Sequence, residues 1–497
     1  MSSPRVLIVG AGFGGIAAAI ELQNHGFRDL TVLEAAPELG GTWFHNRYPG
    51  AACDVPSHLY SFSYAQRRDW ERLCPTQADV LDYLREVARD HGIDRLATPN
   101  AKVTACRFSD VDCRWSVETT GGETHEADAI VLATGQLHQP AFPRIEGVET
   151  FAGHTFHSAA WDADYPLAGK RVAVVGTGAS AVQLVPEIAR DVGRLTVFQR
   201  TGNWFLPRRN RPYPRLLRAA VGRVPGLQAL RRGVVFGCCE ALTLAIRHPK
   251  TAGRLVRLWS AAFMRQQLKD PELRRNVWPD YTFGCKRVLF SSFFLPALQR
   301  ENVELVTDPI ARIAPEGIVT TDGRLHSVDC IVWATGFKTN DFMFPMEVTG
   351  SEGRDLREAW ANGAHAHLGI TVPGFPSMFI MFGPNTNTSG GSIITYLEAQ
   401  AGYVRQALQH VRDRGAGAIS VDPEVEAVSD RELQARFPGT AWTECDSWYR
   451  DERGRIVANW PGYMREYLRA TRHLDPGDFA FLPPPARVGV APYPSSG

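Results

Sequence analysis

RVLIVGAGFGGIAAAIELQNHG (residues 5–26) and RVAVVGTGASAVQLVPEIARDVG (residues 171–193) decide the fold. Each is a continuous apolar run, then a glycine turn, then a helical pattern. Each leads into a second apolar run, LTVLEA (30–35) and LTVFQR (195–200). Continuous apolar strands suit a parallel sheet covered on both faces. Strand, turn, helix and strand, given twice, predict an α/β protein with two Rossmann-like dinucleotide-binding domains. DAIVLATGQ (128–136) and DCIVWATGF (329–337) echo each other downstream of the two units and read as the strands that return the chain to each domain.

The first turn holds Gly10, Gly12 and Gly15 in the spacing GxGxxG, with Phe13 opening the helix. The first glycine permits the tight turn, the second admits a pyrophosphate, and the third lets the helix pack on the strand. Free N–H groups at the helix start then face the phosphate. Glu34 stands 19 residues after Gly15, at the end of the next strand. A carboxylate there accepts hydrogen bonds from a ribose 2′-OH and repels a 2′-phosphate, so the ligand is FAD or NAD. The second turn reads Gly176, Thr177, Gly178, Ala179, Ser180, Ala181, and its strand ends in Arg200-Thr201. A guanidinium at that position pairs with a phosphate in fork geometry, which predicts NADP(H). Flavin disulfide reductases combine two such sites, but they need a CxxC pair, which this sequence lacks.

Composition narrows the class further. The chain has 497 residues, 44% apolar and 22% charged, which is ordinary for packed globular domains and too long for a single core. With 54 basic and 53 acidic residues the net charge is +1, so no nucleic-acid partner is expected. No long uncharged apolar run predicts a membrane-spanning helix, and the opening residues run straight into a strand rather than a leader. The nine cysteines form no framework spacing and read as mostly buried thiols of a reduced, cytoplasmic chain. Residues 201–275 depart from the average, with 16 Lys/Arg against Glu240, Asp270 and Glu272, a local charge of 16 − 3 = +13. This stretch reads as a helical insertion. It offers either a solvated basic face or a peripheral membrane and substrate-entry surface.

The predicted organisation is an FAD-binding part over 1–140, a connection over 141–170, and an NADP-binding domain over 171–340 with the insertion at about 205–280. A return to the first domain follows over 341–485, then a frayed tail over 486–497. His365 and His367 lack carboxylate or thiol partners at useful spacing, so no metal is expected. Asn385, Asn387 and Thr388 lie on a Gly-rich loop that could place N–H groups near a flavin.

Two longer stretches carry a family resemblance. FAGHTFHSAAWD (151–162) fits FxGxxxHxxxW followed by Asp, through Phe151, Gly153, His157, Trp161 and Asp162. GGTWFHNRYPGAACD (40–54) fits a second signature through Gly41, Trp43, Tyr48, Pro49, Gly50 and Asp54. With both turns in order, the chain resembles the type I Baeyer–Villiger monooxygenases over roughly residues 5–400. Related N- and S-oxygenating enzymes differ at the Trp161 position. The resemblance implies that NADPH reduces FAD and that dioxygen adds at flavin C4a. The peroxide then attacks a small apolar ketone and yields an ester or lactone; oxygenation of sulfides or amines is the alternative. It also implies FAD contacts from Gly41, Thr42, Trp43, Asp54, Tyr60, Val103, Thr134 and Gly135. In the KR pair of FGCKRVLF, Lys286 would reach the NADP 2′-phosphate, and Arg287 would stabilise the peroxide with Asp54 aiming it. His157 is expected to tie the second domain to the connection rather than act as a base.

Overall fold

The structure is a computed structural model that describes residues 3–484 apart from 209, 211, 225 and 389. The tail expected at 486–497 lies outside the described residues. Two five-stranded parallel sheets form the frame. The first runs in the order Met378–Ile380, Ala129–Leu132, Val6–Val9, Leu30–Leu33, Ala97–Thr98. The second runs Val303–Val306, Arg194–Phe198, Arg171–Val175, Cys330–Trp333, His154–His157. In both sheets the glycine-turn strand pairs in parallel with its Ala-Thr-Gly strand: Val6 lies opposite Ala129, and Val172 opposite Cys330.

The two strands that precede the turns are buried along nearly their whole length, which is what a sheet covered on both faces requires. Helix Phe13–Asn24 is buried almost all round, because it is sandwiched between the first sheet and helix Ile393–Arg414. Ala17, Ala18 and Ala19 allow that close approach; a larger side chain there would overpack the layer. Each sheet also carries an antiparallel companion near it in sequence. Val103–Ser109, Arg114–Thr119 and Thr124–Ala127 form one, and Ile310–Ala314, Gly317–Thr320 and Leu325–Ser327 the other.

The basic stretch is helical: Arg215–Arg223, Leu227–Arg247, Ala252–Gln267 and Pro271–Val277. The 21-residue helix buries Cys239, Thr243, Ala245 and Ile246. It packs over Leu59, Trp460 and Met464 on one side and Trp442 and Tyr449 on another. No helix among the described residues is long and apolar enough to cross a membrane. The expectation of thiols throughout is corrected at one pair: Cys285 and Cys445 form a disulfide across 160 residues. No local spacing announces a pair so far apart. Among the free cysteines, Cys238 is exposed and Cys53, Cys74, Cys106, Cys113, Cys239 and Cys330 are buried.

Candidate functional site

The first turn caps its helix with backbone alone. Gly12 offers no side-chain acceptor, and the first helical turn holds no acid, so the leading N–H groups point outward unsatisfied by side chains. Gly41 faces Gly12 from the short helix Thr42–His45; a Cβ on Gly41 would lie 3.0 Å from Gly12 Cα. This slot lined by backbone fits a pyrophosphate. Glu34 is 5% exposed, with one carboxylate oxygen accepting from Ala11 N–H at 2.6 Å and the other from Ala36 N–H at 2.8 Å. Each oxygen keeps a lone pair for a ribose hydroxyl. Val103 lies buried beside the same strand end, and Thr134 and Gly135 follow one residue after the neighbouring strand ends at Leu132.

Aromatic rings line the next part of the site. Trp43 donates its indole N–H to the Tyr60 hydroxyl at 3.1 Å, and their rings meet edge to face at 5.7 Å. Phe13 packs on Tyr60 at 5.3 Å. Burial pushes the Tyr60 phenol far above its ordinary value, so it stays a neutral donor.

The second turn repeats the uncapped geometry at Gly178, with helix Ala179–Ile188 behind it. Thr177 is buried, and its carbonyl accepts from the Asn203 amide at 2.9 Å. Arg200 is exposed at the end of strand Arg194–Phe198, followed by Thr201. Lys286 stands near enough to feel it: burial, and then the Arg200 charge, lower the Lys286 ammonium below its usual value. Two cations within electrostatic reach of each other, at the edge of a dinucleotide turn, suit a phosphate dianion.

Asp54 is the point where the two halves meet. Its side chain is only 9% exposed. Arg287 donates to Oδ2 at 3.2 Å, while Arg208 at 2.6 Å and the Gln183 amide at 3.2 Å donate to Oδ1. Arg287 keeps 44% of its side chain accessible, and Asp54, Tyr449, Cys53 and Tyr48 lie within electrostatic reach of it. Burial pulls this guanidinium down, those four neighbours pull it up, and the balance is upward. Its charge also reaches the Tyr60 phenol, where it opposes the effect of burial. The disulfide anchors the Lys286-Arg287 segment to the loop carrying Cys445.

Gln183 belongs to the second-domain helix, yet it serves the loop that ends in Asp54. Its carbonyl accepts from Tyr48 O–H at 3.0 Å and Ala52 N–H at 3.2 Å, and its amide donates to Ala52 C=O at 2.9 Å. Neither Gln183 nor Arg208 is signalled by the sequence. One sits inside a helical pattern and the other inside a run of arginines.

The fingerprint segment is more ordered than a connection. His154–His157 is the edge strand of the second sheet, with His157 opposite Trp333. A Cβ on Gly153 would strike the Phe151 ring, so the glycine and the phenylalanine of the motif are one packing unit. His157 is 2% exposed, takes the Ala159 N–H on Nδ1, and touches Phe142 and Phe337. Burial lowers its basicity, opposed by the Gly336 backbone, so the ring is neutral near pH 7. Trp161 packs on Phe156, and Asp162 pairs with His154 at 2.8 Å.

Two weaker expectations change meaning. The Asn385 amide donates to Ile456 C=O and Asn459 C=O, and Asn387 donates to the Asn459 side chain. Both side-chain amides clamp the C-terminal segment. His365 pairs with the buried Glu426 at 2.8 Å. Among the described residues no group of three or more His, Cys, Asp or Glu could hold a metal.

Comparisons with known proteins agree along the whole chain. Residues 7–216 match the family described as pyridine nucleotide-disulphide oxidoreductase. A Baeyer–Villiger monooxygenase from Streptomyces coelicolor is 41% identical over 492 residues, covering 98% of this chain and 94% of that protein. One from Pseudomonas aeruginosa is 38% identical, covering 95% and 90%. Among solved structures, an oxidized steroid monooxygenase bound to NADP matches with a TM-score of 0.86 at 29% identity, over 97% of this chain and 100% of that one. A closed cyclohexanone monooxygenase matches with a TM-score of 0.86 at 28% identity, over 96% and 99%.

Proposed function

The chain belongs to the Baeyer–Villiger monooxygenase family, and on that premise we propose that Arg287 and Asp54 are its catalytic pair, acting on a small apolar ketone. The protein is an FAD-containing, NADPH-dependent monooxygenase that inserts one atom of O2 beside a ketone carbonyl. When bound, FAD takes a hydride from NADPH and reacts with dioxygen.

The protein contributes charge, position and shelter from water. Arg287 carries a charge that no working pH removes. Negative charge that builds on oxygen during insertion is stabilised most where screening is weak. An ammonium could hand its proton to that oxygen, whereas a guanidinium keeps its own. Asp54 holds Arg287 through one oxygen and so fixes its direction. Gly10, Gly12, Phe13, Gly15, Glu34, Gly41, Thr42, Trp43, Tyr60, Val103, Thr134 and Gly135 would hold FAD. Gly176, Thr177, Gly178, Ala179, Ser180 and Ala181 would hold the NADP pyrophosphate, with Arg200, Thr201 and Lys286 on the 2′-phosphate. We read 1–140 with 341–485 as the FAD domain and 171–340 as the NADP domain.

The observation that carries this reading is the Arg287–Asp54 contact, made across 233 residues. The test is product analysis with NADPH, O2 and a mixed panel of ketones and sulfides. An ester or lactone one oxygen heavier than its ketone is expected, and lost in R287A. Sulfoxides or N-oxides alone would move the assignment to heteroatom oxygenation.

Two finer statements belong to the same proposal. A cytoplasmic location is the finer reading, supported by a cysteine pattern of one long-range disulfide and seven thiols that is unlike a secreted disulfide scaffold. Peripheral contact with an anionic membrane is supported by the outer face of the helical insertion. Leu230, Val234, Leu255, Leu258 and Trp259 are exposed there, with Arg254 and Arg257 alongside. Salt-sensitive cosedimentation with phosphatidylserine vesicles, absent with neutral vesicles, is the expected result. Equal recovery in the supernatant with both would remove the membrane from the proposal.

A further inference from the structure

A buried carboxylate needs one cation to balance it, and Asp54 has two. Arg208 lies at 2.6 Å from Oδ1 and Arg287 at 3.2 Å from Oδ2. The shorter contact belongs to the residue the catalytic proposal does not use. Arg208 is the better buried of the two, with 11% of its side chain exposed against 44% for Arg287. Asp54 is the only acid within ion-pair distance of either guanidinium among the described residues. Arg208 also leaves its buried Nε–H without an acceptor, a cost that a purely structural ion pair avoids. Its backbone is fixed separately, by an N–H bond to Ser292 Oγ at 3.1 Å, so the side chain is presented to Asp54 from a held position.

We propose that Arg208 is a positioning residue that neutralises Asp54, so that the charge of Arg287 is left available to the oxygen anion formed during insertion. The inference rests on the catalytic role given above to Arg287. Arg287 and Asp54 alone sum to zero. Such a pair aims a guanidinium but cancels most of its field at a distance. With Arg208 the cluster is Arg, Asp and Arg, net +1, and the uncancelled charge sits on the accessible member. Gln183 donates to the same oxygen as Arg208. That bond keeps Oδ1 occupied and leaves Oδ2 to Arg287 alone. Arg287 can then turn toward a developing anion without stranding a bare carboxylate, because Asp54 keeps a cation in either position.

The test separates charge from packing by measuring the midpoint potential of the bound FAD, alongside ester formed per NADPH consumed. A nearby positive charge favours the reduced, more anionic flavin. R208Q lowers the cluster from +1 to 0, so the potential shifts to more negative values and coupling falls several-fold. D54N raises the cluster to +2 and shifts the potential the other way. R208Q/D54N returns it to +1, and its potential returns toward wild type even though coupling stays low, because Arg287 has lost its guide. R208K keeps the charge and holds the potential near wild type. Equal potentials in D54N and R208Q/D54N would overturn the proposal. That comparison survives even if R208Q itself fails to fold, since the double variant leaves no carboxylate uncompensated. An unchanged potential in R208Q would overturn it as well. A protein that makes no ester from any ketone, yet shows these potential shifts, would instead sink the catalytic reading and leave the charge assignment of Arg208 standing.

Discussion

The two glycine turns share a topology and differ in finish. In the first, a Cβ on Gly15 would fall 1.8 Å from Gly10 C=O, so the helix is pressed onto the turn beyond what any methyl allows. In the second, Ala181 fills the corresponding place and is fully buried. The acid of the first turn is buried and satisfied by two backbone N–H groups. The cation of the second is exposed beside another cation. One turn is complete in itself and suits a group held through every turnover. The other leaves Arg200 without an ion pair among the described residues and suits a coenzyme whose phosphate supplies the balance.

The largest expected effect breaks this comparison at its tightest point. G15A should give protein that purifies without flavin and melts well below wild type, because overpacking costs about 1–3 kcal/mol or more where backbone must move. A181G should bind both cofactors and lose only about 1 kcal/mol of stability, the cost of glycine in a helix. Equal losses, read by flavin absorbance and thermal melts, would erase the distinction. Next, R200A should raise KM for NADPH by about 10- to 100-fold, since a charged hydrogen bond is worth about 1.5–3 kcal/mol, while KM for NADH stays put.

A smaller effect concerns pH. Lys286 is lowered from the usual lysine range, so raising pH through that lowered value removes one of the two charges proposed for the 2′-phosphate. KM for NADPH should climb a few-fold on the alkaline side, KM for NADH should not, and K286R should flatten the rise. The smallest effect is at the fingerprint. H157A should keep both cofactors yet divert part of the NADPH to hydrogen peroxide, because the neutral, buried ring braces the end of the second sheet. Full coupling in H157A would end the bracing role.

What could be read from sequence follows from how far apart the deciding residues lie. The turns, the strands beside them and the acid or arginine at each strand end are local patterns, and the fold and both cofactors follow from them. Arg287 and Asp54 were reachable through family resemblance alone, since nothing near either residue points to the other. Arg208 meets Asp54 across 154 residues, and Cys285 meets Cys445 across 160. Pairs of that kind exist only once both domains have formed. His154–His157 is too short and polar to announce a strand; it becomes one by pairing with Cys330–Trp333. Asn385 and Asn387 were ambiguous for the opposite reason. A Gly-rich loop with amides suits a ligand and suits a clamp equally well, and Ile456 and Asn459 took the amides.

The four bonds of Gln183 to Tyr48, Ala52 and Asp54 give the two halves a common pivot. Arg232 of the 21-residue insertion helix ties them again, donating to His58 C=O and Ser61 C=O, both at 2.9 Å. The spacing around Asp54 is therefore braced from two directions, and cutting either tie alone leaves the other in place.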